Sequence, residues 1–275
     1  MTRTAVITVV AGRRQHLLNQ LRGLRDGRLK PDLHVVVAMG DPAVTDVVRG
    51  FADTCVIDLV KARPLRLAEA RNVGADAALA AGAEHLIFLD VDCVPSSTLV
   101  QRYASLLEVD THRDALLCGE VNYVSSSGQG ENDLRRLARL SSRHLARPTL
   151  GADEVIPTVQ YELFWSLSFG VGATAWKHIG GFCESYVGYG GEDTDFGQSA
   201  RAAGVTMMWV GGAVAYHQYH PVSDPPFEHL DEILRNAETF HARWGWWPMQ
   251  GWLRKFQSIG LISYDDCRQA WRKAD

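Results

Sequence analysis

Four short apolar runs, each followed by a segment of helical character, constrain this chain more than any other feature of its sequence. They are residues 5–10 (AVITVV), 33–38 (LHVVVA), 55–60 (CVIDLV) and 85–89 (HLIFL). Runs this rich in β-branched residues belong to strands buried on both faces, the habit of a parallel sheet. Between them, Leu17, Leu18, Leu21 and Leu24 recur at helical spacing, and residues 65–81 form an alanine-rich segment closed by Gly82. Residues 95–97 open another helix that runs to about Leu107. Strand and helix in alternation predict βαβ units and a mostly parallel α/β sheet flanked by helices. Ligands of such sheets sit at the carboxyl ends of the strands, and Asp90 and Asp92 stand at one such end.

Composition narrows the class. The chain has 275 residues, enough for one large domain or two small ones with a core that needs no staples. The net charge of −4 gives no whole-protein attraction to nucleic acid. Five cysteines without a CxxC pair argue against a disulfide framework or a zinc site, so a reducing, cytoplasmic setting is expected. No apolar run approaches the roughly 18 residues of a membrane span. The start, MTRTAVITVV, has the wrong flanks for a secretion signal.

Past residue 124 the pattern changes. Residues 125–132 (SSSGQGEN) read as a polar loop, and 133–147 as a helix carrying Arg135, Arg136, Arg139, Arg143 and Arg147. That arginine series is either a solvated face or an attractor for an anionic acceptor or an acidic leaflet. Residues 165–170 (WSLSFG) predict a strand and 173–179 a short helix ending at Gly180-Gly181. Residues 188–204 are a glycine-rich loop entering a helix, and 205–210 a last strand. The tail, 225–275, is predicted helical and holds Trp244, Trp246, Trp247, Trp252 and Trp271. It suits packing over the rest of the chain or peripheral contact at the inner membrane face. No linker divides residues 1–224, and the tail forms a separate extension.

Three clusters carry chemistry. Asp90 and Asp92 project to the same side of an extended segment and make a hard oxygen site for Mn²⁺ or Mg²⁺. Glu192, Asp193 and Asp195 follow Gly190-Gly191, whose bare backbone lets a ligand approach closely. One acid would serve a helix N-terminus; three beside a flexible loop leave a carboxylate to take a proton from an attacking hydroxyl. His217 and His220 flank Gln218-Tyr219, and imidazole is a common Mn²⁺ ligand. Arg71, Arg13 and Arg14 are candidate grips for phosphate. No GxGxxG follows a strand and Gly12-Arg13-Arg14 is not a P-loop, which leaves nicotinamide and kinase-like chemistry unsupported.

Over residues 3–220 these motifs resemble a glycosyltransferase of the GT-A fold, nearest in pattern to family 2. The resemblance is carried by LAEARNVGADAALAAGAEHLIFLDVDCVP, WKHIGGFCES, GYGGEDTDF and YHQYH. The GYGGED run is also similar to the GWGGED run of β-1,4-galactosyltransferases. The resemblance implies a Rossmann-like nucleotide-sugar half (1–124), an acceptor half (125–224) and an inverting, metal-dependent transfer from a nucleotide-sugar, UDP-linked by preference. Asp92 would ligate the metal with His217 or His220, and Asp90 would hold the ribose or the metal shell. Arg71 and Arg13 would face the diphosphate, and Val9 and Asp41 would line the nucleoside pocket. Asp193 matches the general base, with Glu192 beside it. Trp165, Tyr189 and Gly191 would meet the acceptor, a saccharide, a lipid-linked sugar or a small molecule, and Glu192 and Asp195 would hold that acceptor or support the loop. Cys183 departs from the family's GGFDE run, and Asp41-Pro42 replaces a longer acidic turn. A sugar-nucleotide pyrophosphorylase and a non-catalytic binder on the same fold are the alternatives; the first would want a glycine-rich basic N-terminal loop that VVAGRRQ does not supply.

Overall fold

The computed structural model describes residues 2–59 and 64–274. Val60, the expected end of the third strand, lies outside them. The first half alternates β1 (Thr4–Val10), α1 (Arg14–Arg25), β2 (Leu33–Met39), α2 (Val44–Val48), β3 (Thr54–Leu59), α3 (Leu67–Ala80) and β4 (His85–Leu89). It continues with β5 (Cys93–Pro95) and α4 (Leu99–Leu107). The second half holds β6 (Leu116–Val124), α5 (Leu134–Leu140), β7 (Ser141–Arg143), β8 (Val155–Thr158), β9 (Ser168–Gly172), α6 (Ala173–Ile179), α7 (Glu192–Ala202) and β10 (Met207–His217). The extension contains α8 (Leu230–Trp244), α9 (Gln250–Ser258) and a hairpin of β11 (Ile262–Asp265) and β12 (Ala270–Lys273).

The main sheet runs β3-β2-β1-β4-β9-β6-β10-β5, with β7 beside β6 and β8 beside β10. The strands β3, β2, β1 and β4 are mutually parallel, as are β6 and β10. Strand β9 enters antiparallel between β4 and β6 and joins the two halves. Every residue of β1 and β4 is buried, which is why both read as unbroken apolar runs. Beneath the second acidic motif lies an aromatic core. Phe88 stacks on Phe169 at 4.5 Å and Phe182 on Phe196 at 4.3 Å between ring centres. Phe182 is the aromatic of the IGGF run, so that motif is explained by packing.

Several expectations are corrected. The segment 133–147 is not one helix: it turns into β7 after Leu140, because Asn122, Tyr123 and Val124 of β6 offer an open edge that residues 141–143 pair with. The strand expected at 165–170 is shifted to Ser168–Gly172, opposite β4. The last strand is longer than expected: an irregularity between Val210 and Ala215 absorbs Gly211-Gly212 and carries β10 on to His217. The tail is helical only to Ser258 and then forms the hairpin. Its tryptophans turn inward: Trp246 packs edge-on to Phe240, Trp247 stacks on His241 at 4.2 Å, and Trp271 meets Tyr264. Among the described residues, no helix is long and apolar enough to cross a membrane.

Candidate active site

The carboxyl ends of β1, β2 and β4 share one edge of the sheet. There the Asp90-Val91-Asp92 turn is fastened from below by neutral amides. Gln20, fully buried on α1, donates to the backbone carbonyls of Asp90 (2.7 Å) and Cys93 (3.1 Å). Its own oxygen lies 2.8 Å from the Thr8 hydroxyl, which in turn sits 3.0 Å from His34 Nε2. The Gln20 and Leu89 oxygens beside that hydroxyl only accept, so its single proton goes to one of them and His34 Nε2–H must be the donor. Burial drives the His34 pKa down to about 3, so the ring is neutral and the network carries no charge.

From the other side, Gln218 clamps the turn. Its backbone N–H donates to the Asp92 carbonyl (2.7 Å), and its side chain donates to the His16 carbonyl (3.1 Å) while accepting from Asn19 (2.8 Å). Gln218 is buried between the two histidines and makes their segment part of the turn's support. Sequence reasoning passed over Gln20, Gln218 and His16; an amide between two paired histidines was the available signal.

This clamp gathers a cluster. One ligand atom each from Asp92, His217 and His220 lies within 4.8 Å of the others. His16 Nδ1 approaches Asp92 Oδ1 at 3.7 Å, and Arg13 makes an ion pair with Oδ2. Burial would raise the Asp92 pKa, but Arg13 and the two histidines outweigh it and hold the carboxylate below its usual range. Burial lowers the His217 pKa to about 4, leaving a neutral ring with a free lone pair. Asp92 Oδ1 is buried without a hydrogen-bond partner. An ionised carboxylate with an unsatisfied oxygen beside two imidazoles fits a divalent metal of the Mn²⁺ class. Both histidines, expected as alternatives, belong to the cluster.

Arg13 holds a left-handed backbone (φ 37°) at the start of α1, which turns its side chain toward Asp92. Beside it a pocket of about 230 Å³ opens between Ala11, Gly12 and Arg14 on one strand end and Met39, Gly40 and Asp41 on the next. Asp41 Oδ2 is buried there without a partner, 3.6 Å from Arg14 Nε. Val9 does not line this pocket: only 6% exposed, it belongs to the core, and the pocket begins two residues later.

Arg71 is buried and spans the two acidic motifs. One end of its guanidinium donates to Asp90 (3.1 Å) and the other to Glu192 (3.3 Å), over the face of Phe182. Burial lowers its pKa, but Asp90, Glu192 and Asp193 together raise it further, so the charge is permanent. The side chain is thus a bridge inside the site and is not open to a ligand.

The four acids of the site differ sharply. Glu192 is buried against Arg71; burial first, then the charge of Asp193, pushes its pKa up. Asp195 is fully buried and accepts from Tyr186 (2.9 Å), Trp244 (2.7 Å) and Arg243 (2.8 Å). Of the two roles expected of it, this burial fits support of the loop, as a latch for α8. Gly191 is buried as well, and a side chain there would meet Tyr186 at 3.2 Å. Of the three acids of the loop only Asp193 is half-open, with its Oδ1 accepting from the Thr194 N–H. Burial outweighs Arg71 and raises its pKa also. Opposite these acids, Asp90 keeps a raised pKa because burial exceeds the pull of Arg71.

The extension holds the glycine loop. Asn236 of α8 donates to the Gly190 carbonyl (2.8 Å), and Glu232 accepts from the Tyr189 N–H (2.9 Å). A side chain at Gly188 (φ 83°) would collide with Glu232, and one at Gly190 would meet Met249 at 2.8 Å. Tyr189 lies on His229 (4.6 Å) and Trp252 (5.6 Å) and remains 38% exposed. Trp165 stacks on Arg147 at 4.3 Å and meets His144 edge-on.

Comparison with known proteins agrees with this geometry. The family described as the N-terminal domain of galactosyltransferase matches residues 146–221, the stretch holding Trp165, the glycine-acid loop and the histidines. No curated protein matches the sequence. Among solved structures, S. aureus TarS 1–349 in complex with UDP-GlcNAc is similar with a TM-score of 0.61 at 13% identity, over 92% of this chain and 76% of that one. GalNAc-T7 with UDP, GalNAc and Mn²⁺ is similar with a TM-score of 0.58 at 15% identity, over 88% of this chain. The chain spans 50% of GalNAc-T7 and 65% of another TarS 1–349 structure. The fold is therefore that of the GT-A glycosyltransferases, with a galactosyltransferase-like segment carrying the acidic loop and the paired histidines.

Proposed function

We propose that the protein transfers a sugar from a UDP-linked donor to an acceptor hydroxyl, with inversion, in a metal-dependent reaction of the family 2 and β-1,4-galactosyltransferase type. One observation carries it: Asp92, His217 and His220 form a metal-sized cluster at the strand ends, beside a second, half-open carboxylate. Two similar structures hold UDP-GlcNAc or UDP with Mn²⁺, which supports the choice of donor and cation.

The residues divide the work. Asp41 Oδ2, unsatisfied in the pocket, would accept an N–H of the base. Asp92, His217 and His220 would hold Mn²⁺ or Mg²⁺, which when bound neutralises charge growing on the leaving diphosphate. Arg13, the exposed cation at the cluster, would follow that charge. Arg71 keeps Asp90 and Glu192 in place and fixes the distance between the two acidic motifs. Asp193 would take the proton of the acceptor hydroxyl as it attacks the anomeric carbon from the opposite face. Because its pKa is raised, turnover should fall on the acid side at a higher pH than an ordinary carboxylate would give. The same proposal places the enzyme in the cytoplasm, with exposed Arg135 and Arg139 turned to meet an acidic leaflet beside Arg136, which pairs with Glu131. Sedimentation with anionic liposomes at low salt tests that contact.

The central experiment is calorimetry of UDP, GDP and dTDP with and without Mn²⁺. UDP binding that needs Mn²⁺ and disappears in Asp92→Ala is expected. Binding that ignores the metal, or survives the substitution, refutes the metal site.

A further inference from the structure

The arginine series of residues 135–147 is broken up by the fold, and one member ends up in an unusual place. Arg147 is half-buried and lies between two indoles, its guanidinium carbon 4.3 Å from the ring centre of Trp165 and 4.2 Å from that of Trp209. The Arg147 N–H donates to the His144 carbonyl (3.0 Å), closing the turn that points the side chain inward. Among the described residues its guanidinium forms no ion pair and no hydrogen bond, and Nη1 is buried without a partner.

Arg71 shows what a compensated buried arginine looks like: two carboxylates at hydrogen-bond distance. Arg147 has none. Asp193 and Tyr123 are close enough to act on its charge, yet neither bonds to it. A cation with one nitrogen buried and unpaired is costly to keep. Stacking on indoles offsets part of that cost and at the same time locks the planar fork in one orientation. Such a fork takes two oxygens of one phosphate or carboxylate.

Its position identifies the ligand. A chain of rings joins it to the metal cluster: His217 to Tyr123 at 5.0 Å, Tyr123 to His144 at 6.1 Å, His144 to Trp165 at 4.7 Å. Arg147 thus lies in the acceptor half, joined through rings to the metal cluster, with Asp193 near enough to act on its charge, and it does not line the pocket at Asp41. We propose that Arg147 is the anion receptor of the acceptor site, and that the acceptor carries a phosphate or carboxylate near the hydroxyl that is glycosylated. This rests on the transferase reading above and goes beyond it by naming the charge of the acceptor.

The test uses the full chain saturated with UDP and Mn²⁺, so that the donor site is filled. Glucose 6-phosphate and glucuronate are titrated against uncharged glucose, with tryptophan emission from the Trp165–Arg147–Trp209 stack as the readout. Saturable binding of at least one anion, absent for glucose, is expected. Arg147→Met should weaken it about tenfold or more, the scale of a hydrogen bond to a charged group. Arg147→Lys keeps the charge and loses the fork, so it should fall in between and covers the case in which Arg147→Met does not fold. Equal binding by wild type and either folded variant, or no anion binding by wild type, overturns the proposal. So does a loss of UDP affinity in Arg147→Met, which would assign the cation to the donor diphosphate. If wild type binds no nucleotide at all, the transferase reading fails first, and the two failures are told apart.

Discussion

The two acidic motifs are held in place by opposite means. The backbone of the Asp90–Asp92 turn rests on neutral amides, Gln20 and Asn19 from α1 and Gln218 just past β10, and charge meets only its side chains, through Arg71 on Asp90 and Arg13 on Asp92. The Glu192–Asp195 loop is held by charge and by the extension, through Asp195 to Arg243, Trp244 and Tyr186 and through Asn236 to the Gly190 carbonyl. Neutral amides fix the backbone of that turn without occupying the free Asp92 Oδ1, which is left for a ligand. A loop of glycines has no side chains of its own to pack, so its shape must come from a neighbour. The extension is therefore part of the site, although it lies outside the segment that matches the galactosyltransferase family.

The largest test separates the motifs by chemistry. Asp193→Asn should lower turnover by about 10²–10⁴, the usual worth of a positioned proton acceptor, while Mn²⁺-dependent UDP binding stays within error. Near wild-type turnover would move the base elsewhere. Next comes the latch. Asp195→Ala leaves the Tyr186 hydroxyl and the Trp244 indole N–H without their shared acceptor, a loss of about 1–3 kcal/mol for a buried donor left unpaired, while Arg243, 41% exposed, stays solvated. Urea unfolding should report that loss, with Mn²⁺ affinity preserved. An equal fall in Mn²⁺ affinity would break the distinction between the two supports.

Gln218→Leu should do the reverse. Groups that orient metal ligands are typically worth about 10–100-fold in metal affinity, so calorimetric Mn²⁺ binding should weaken by that much. Protection of α8 from proteolysis should not change. The smallest effect concerns the neutral floor. His34 is held neutral with a pKa of about 3, whereas in the unfolded chain it titrates near 6.5. Between those values the unfolded state binds one more proton, so folding stability rises with pH through the window and is complete above about 6.5. The slope should reach about 1.4 kcal/mol per pH unit. His34→Gln should flatten it, read from urea midpoints between pH 4 and 7.

The donor half was legible in the sequence because each of its features is local. An apolar run buried on both faces announces a parallel strand, and the acids just beyond it fall at the strand end by connectivity. Asp92, His217 and His220 followed from residue type and spacing, and the structure gathers all three. Less of the acceptor half was legible. A helical pattern of arginines over 133–147 looks the same whether the segment stays helical or pairs with an open strand edge, and only β6 decided that. Asp193 and Asp195 are two residues apart with the same side chain. Their local sequence does not separate an open carboxylate from one sealed under Arg243 and Trp244, because the residues that seal it lie some 50 positions later.

The sequence by itself determined the α/β class, the edge of the sheet where chemistry sits, and the residue types available there, since hydrophobic periodicity and chain connectivity are encoded over a few residues at a time. The tertiary structure alone decided which charges are compensated. Arg71 is buried and Arg147 half-buried, yet the first bridges Asp90 and Glu192 and the second pairs with no carboxylate among the described residues. That difference depends on partners more than a hundred residues apart, and on burial, which sets whether a charge is a structural tie or a group held for a ligand.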